Sequence, residues 1–106
     1  MAVLHTTLGP RTADEVGLVL PHEHVLVDFR LPDAQPPAAV DPGAVVAVMA
    51  PALRAAGDVG VTAVVECTPH GLGRRAEVLA AVSRAAGVPL VLATGIYREP
   101  WVPRWV

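Results

Sequence analysis

His22 and His24, in the run Leu18-Val19-Leu20-Pro21-His22-Glu23-His24, have the residue types and spacing best suited to chemistry. Side chains in a strand alternate faces, so Leu18, Leu20, His22 and His24 are expected on one side, with Val19, Pro21, Glu23 and Val25 on the other. Residues two apart on one face lie roughly 6–7 Å apart, a span two imidazoles can close onto one ion bound at about 2.0–2.1 Å. A metal so held brings the pKa of its bound water to about 7 and polarises the oxygen under attack, which is the chemistry of hydrolysis. The competing reading is a pair of structural histidines hydrogen-bonded to their neighbours. Two polar rings on an apolar strand both need partners, and one shared metal satisfies both.

Other polar residues lie near this pair in the expected architecture. Glu66 ends a second apolar run, where a carboxylate can orient His22 or His24; pairing with an arginine is its alternative. His70 reads as a solvated loop histidine, with substrate contact as the second reading. Arg74 and Arg75 open a helix, where the dipole disfavours positive charge, so a salt bridge to another segment is expected. Asp28 reads as solvating its loop rather than buttressing the site, and Cys67 as a small buried apolar side chain.

The elements that must position these residues follow from pattern and punctuation. Val3 to Leu8 is β-prone and Gly9-Pro10 is a turn signal, which predicts a small hairpin over 1–16. Residues 17–106 then read β-α-β-α-β. The apolar run from Leu18 predicts a first strand covered on both faces, as in a parallel sheet. Leu31 to Val40, with Pro32, Pro36 and Pro37, is a loop. Asp41-Pro42 offers an N-cap and a proline at the first helical position, starting a helix that runs to Ala56 before Gly57. Pro51 inside it predicts a kink or break near Met49 to Pro51. Val61 to Cys67 is a second strand, Arg74 to Ala86 a helix closed by Gly87, and Val88 to Thr94 a third strand. Gly95 to Val106 is a loop carrying Tyr97, Trp101 and Trp105. Three parallel strands and two helices leave faces and edges uncovered, which predicts a fragment of something larger.

Composition narrows the function classes. Ten acidic and eight basic residues give a net charge of −2 with no basic stripe, which argues against nucleic-acid and membrane-surface partners. The longest apolar stretch, Gly43 to Leu53, contains Pro51 and is far short of the ~20 residues that span a bilayer. One cysteine permits no internal disulfide, and the first residues do not read as a secretory signal; both point to the cytoplasm. Every basic residue is Arg and none is Lys.

Gly17-Leu18-Val19-Leu20-Pro21-His22-Glu23-His24, Gly71-Leu72-Gly73-Arg74 and Ala93-Thr94-Gly95-Ile96-Tyr97, in that order, resemble successive motifs of the phosphotriesterase family. That family belongs to the amidohydrolase superfamily and includes phosphotriesterase-like lactonases. The resemblance covers nearly the whole chain. It implies an α/β fold, the N-terminal portion of a metal-dependent (β/α)8 TIM barrel, with two divalent ions, usually zinc, in the complete site. His22 and His24 match the pair holding the more buried ion, and Tyr97 matches a substrate-lining aromatic. The family's carboxylated lysine, two further histidines and an aspartate are not in this segment, so no catalytic residue is assigned within it and the chain alone is expected to be inactive. The resemblance further implies a small-molecule ester or lactone as substrate and a homodimer for the complete enzyme. A non-catalytic α/β binding module, with the Trp101/Trp105 loop docking a partner, and an inactive truncated gene product are the rival readings, which metal content and the rest of the reading frame would discriminate.

Overall fold

A computed structural model describes residues 2–36 and 40–106. Pro37, part of the expected proline-rich loop, lies outside the described residues; the rest of that loop contains one turn of 3-10 helix, Pro32–Ala34.

The hairpin forms with a different turn from the one expected. Strands β1 (Val3–Thr6) and β2 (Gly9–Thr12) pair antiparallel with Thr6 opposite Gly9, so the turn is Thr7-Leu8 and Gly9-Pro10 begins the return strand. The cause is Thr6, whose Oγ1 accepts from the Leu8 amide at 3.1 Å and donates to the Gly9 carbonyl at 2.6 Å. An edge strand tolerates Pro10.

The hairpin tip is fastened to the main sheet. Thr7 donates its amide to the Leu90 carbonyl at 2.9 Å, and its Oγ1 accepts from the Leu90 amide at 2.9 Å. The same hydroxyl lies 2.6 Å from Ser83 Oγ, which donates to the Val88 carbonyl at 2.7 Å.

Strands β3 (Leu18–Glu23), β4 (Val61–Glu66) and β5 (Leu90–Leu92) form a parallel sheet in the order β3-β4-β5. The connections are helices α1 (Pro42–Asp58) and α2 (Ala76–Ala86). Right-handed crossovers between strands that advance in one direction put both helices on one face. Ala50 and Leu53 of α1, Leu79 and Val82 of α2, and Val64 and Leu90 of the sheet accordingly share one buried core. A strand order without reversal fits the wall of a barrel.

Three further expectations are corrected. Of the kink or break expected near Pro51, the break does not occur: helix α1 is continuous there, with Pro51 and Ala47, whose carbonyl it deprives of a partner, both exposed, so that water can serve that carbonyl. The helix also passes Gly57, where a Cβ would lie 2.9 Å from Val88 Cγ2; this glycine answers a packing need and does not stop the helix. Asp41 caps the start as expected, accepting from the amides of Gly43 and Ala44 at 3.0 and 3.4 Å. Finally, β3 is not a covered strand: Leu18 is 54% exposed, and of its residues only Val19 and Leu20 are even half-buried.

Candidate metal centre

The alternation expected along β3 is broken by one residue. Leu20 pairs with Val64 and Glu23 with Glu66, so three steps on β3 match two on β4. This bulge falls at Pro21-His22, the sort of position where a strand can hold a proline. Its effect is visible in packing: Leu20 and Val25, five residues apart, both pack on the helix-side core. The frame has shifted, and Leu20 no longer shares a face with the histidines. His22 and His24 are exposed, and their ring centroids lie 5.4 Å apart, edge to face.

One ring is held by a specific bond. His24 Nδ1 lies 2.8 Å from Oγ1 of Thr68, a fully buried residue, which leaves Nε2 as the ring nitrogen without a protein partner in this contact. Two neighbouring imidazoles, one with its second nitrogen already engaged, fit half the donor set of a divalent ion. Among the described residues no group of three or more His, Cys, Asp or Glu side chains converges.

Glu66 is fully buried and serves the backbone around the pair. Its Oε2 accepts from the amides of Val25 at 3.0 Å and Leu26 at 3.4 Å, and its Oε1 from the amide of Thr68 at 2.6 Å. It lies two residues beyond Val64, on the helix side, which is why its bonds reach the turn after His24 rather than either imidazole. Thr68 is the residue that pattern reading missed. Its signal was faint: a threonine just past a strand end, two residues after a buried acid.

The loops at this end of the sheet are tied to one another. Gly71 and Gly73 adopt φ +92° and +91°, and a Cβ on Gly73 would lie 2.6 Å from Asp28 Cβ. That close approach lets the Asp28 amide donate to the Leu72 carbonyl at 2.9 Å. Asp28 pairs with Arg30, which also donates its amide to Asp28 Oδ1 at 2.9 Å; the guanidinium hydrogen bonds hold the Asp28 carboxyl below its ordinary pKa. Tyr97 is half-buried, its ring 5.5 Å from that of Trp101, with the Arg98 guanidinium 5.7 Å from both. Trp101 donates Nε1–H to the Phe29 carbonyl at 2.8 Å, joining the loops after β5 and β3. Tyr97 is thus braced by its own loop.

The remaining candidates fall as follows. His70 is packed rather than freely solvated, its ring 5.1 Å from Trp105 and its amide donating to the Gly95 carbonyl at 3.1 Å. Arg75, the residue before α2, pairs with Glu77 in its first turn, and Arg74 donates to the Ala93 carbonyl. Cys67 is half-buried, its Sγ 3.8 Å from the Val65 carbonyl and 3.9 Å from the Pro21 carbonyl. A cleft of about 780 Å³ opens between the loops, lined in part by Asp28, Gln35, His70, Arg74 and Trp105. It does not include His22, His24 or Tyr97, because the face that bears the histidines has no facing strands to enclose it.

A parallel sheet that advances strand by strand, with imidazoles where its first strand ends, is the layout of a (β/α)8-barrel enzyme. The sequence matches the phosphotriesterase family over residues 2–106, and the chain belongs to that family. Two Mycobacterium tuberculosis sequences described as phosphotriesterase homology protein are each 34% identical to it over 104 residues, 97% of this chain and 32% of theirs. The solved organophosphorus hydrolase from Deinococcus radiodurans superimposes with a TM-score of 0.78 at 33% identity, over 92% of this chain and 29% of that one. A triple mutant of that enzyme gives 0.80 at 34%, over 93% and 30%. The chain spans about a third of the length of these relatives, and its strands and helices are an N-terminal portion of their barrel.

Proposed function

We propose that the complete protein is a zinc-dependent hydrolase of ester-type bonds (lactone, carboxylic ester or phosphotriester), and that this chain supplies the His22 and His24 metal ligands and is inactive alone. The observation that carries this reading is the pair of adjacent imidazoles at the end of β3, one of them anchored through Nδ1. When bound, the ion supplies an activated water near neutral pH and polarises the oxygen under attack. His22 and His24 hold one side of it. The Tyr97 hydroxyl donates a hydrogen bond to a carbonyl or phosphoryl oxygen of the substrate while its ring packs on the apolar part. Membership of the family, and relatives described as organophosphorus hydrolase, support an ester-type bond.

The test restores the missing strands. Residues 17–106 replace the matching segment of the Deinococcus radiodurans organophosphorus hydrolase, and metal content and hydrolysis of a lactone and phosphotriester panel are measured. His22→Ala or His24→Ala in this chimera is expected to lose bound metal and most activity, and the double variant to be little worse than either. Unchanged metal stoichiometry in either single variant refutes the assignment.

A further inference from the structure

We propose that Thr68 is a positioning residue that fixes the tautomer of His24: its Oγ1 accepts from Nδ1–H, so that Nε2 keeps its lone pair and faces the open side of the sheet. The neutral ring of histidine binds a metal through the nitrogen that lacks a proton, and the partner of the other nitrogen decides which that is. Thr68 is suited to the task because it is fully buried and cannot drift. Its amide is held at 2.6 Å by Glu66 Oε1, and its Oγ1 lies 2.8 Å from the ring.

Both ends of the His24–Thr68 contact are tied to one buried anion. Glu66 Oε2 takes the amide of Val25, the residue after His24, while Oε1 takes that of Thr68. A carboxylate away from solvent projects a strong negative potential on its surroundings. On the side of the ring that faces Thr68, this potential favours the positive end of an N–H dipole over a lone pair. Threonine and glutamate therefore act in series, one as acceptor and the other as the source of the field. His22, by contrast, meets His24 edge to face.

The purpose assigned to this tautomer rests on the metal reading, but the tautomer is a property of the metal-free chain. The chain has four histidines, so side-chain ¹⁵N labelling gives four imidazoles, assigned by single substitution. The measurement is made above the ordinary imidazole pKa of about 6.5. His24 is expected as the Nδ1–H tautomer in the wild type and in Thr68→Ser, and as a mixture in Thr68→Val, which keeps the shape but loses the acceptor. Zinc chloride added to the same samples is expected to shift the His24 Nε2 signal at about ten- to a hundredfold lower concentration in the wild type than in Thr68→Val. A wild-type ring protonated on Nε2 overturns the proposal by itself, whether or not any variant folds. So does a Thr68→Val ring with the wild-type tautomer. The expected tautomers without any zinc response leave the role of Thr68 standing and count against the metal reading instead.

Discussion

At the scale of single residues, the His-x-His pair and Glu66 stand out in the sequence, whereas Thr68 and the backbone amides that Glu66 serves do not. A His-x-His pair on an apolar strand is a local pattern, whereas the contacts of Thr68 and Glu66 span 44 and 41 residues of sequence and have no periodicity to betray them. Asp28 is bound by its neighbour Arg30 rather than by solvent alone, and this gives a pH prediction. Its folded-state pKa is lowered below the ordinary aspartate value of about 3.9. The pair's contribution is therefore fully present above that value and is lost as pH falls through the lowered one. The Arg30 amide signal should titrate with a midpoint below about 3.9, and the transition should vanish in Asp28→Asn; a midpoint at or above the ordinary value contradicts the pairing. Tyr97→Phe tests the substrate role in the chimeric barrel. Metal content and melting temperature should stay near the parent's while kcat/KM falls roughly ten- to a hundredfold, about 1.4–2.8 kcal/mol of transition-state stabilisation. Unchanged kcat/KM on every hydrolysed substrate would remove Tyr97 from the site.

At the scale of elements, strand and helix identities followed from the sequence because caps, β-branched runs and apolar spacing are local. The Asp41 cap, the Gly87 stop in the left-handed region at φ 70° and the β-branched β4 all appear as expected. The β3 bulge did not, because register depends on the neighbouring strand and Pro21 alone does not specify it. Nor did the hairpin turn, decided by the side chain of Thr6 against the usual signal of Gly9-Pro10. The loop after β4 offers a direct test of close approach. Gly73→Ala and Gly60→Ala both place alanine at positive φ, +91° and +105°, but only Gly73 would carry its Cβ into Asp28. Each should lose roughly 1–3 kcal/mol to backbone strain, and Gly73→Ala more, because the Asp28 backbone must also move. Denaturation midpoints compare them, and equal losses would show that the two loops are not pressed together.

At the scale of the whole molecule, no strand among the described residues pairs with β3 on its outer side, β5 is met at its outer edge only by the hairpin tip, and a barrel of this kind closes only with about 250 residues. Purified alone, the chain is expected to bind a hydrophobic dye and to associate with rising concentration, since β3 is an edge strand among the described residues and Leu18 is exposed. A strictly monomeric, dye-silent chain in sedimentation would show that these surfaces are satisfied in some other way. That the chain is part of a larger barrel was legible, because three parallel strands with two helices cannot cover both faces or both edges of their sheet. The clasp between Thr7 and the start of β5 was not. It has a consequence for the order of events during synthesis. Thr7 leaves the ribosome before its partner Leu90, which is made 83 residues later. At roughly 5–20 residues per second that interval is about 4–17 s, during which the strands and helices between them can pair locally. The hairpin tip thus waits for its partner until every strand and helix between the two has been made.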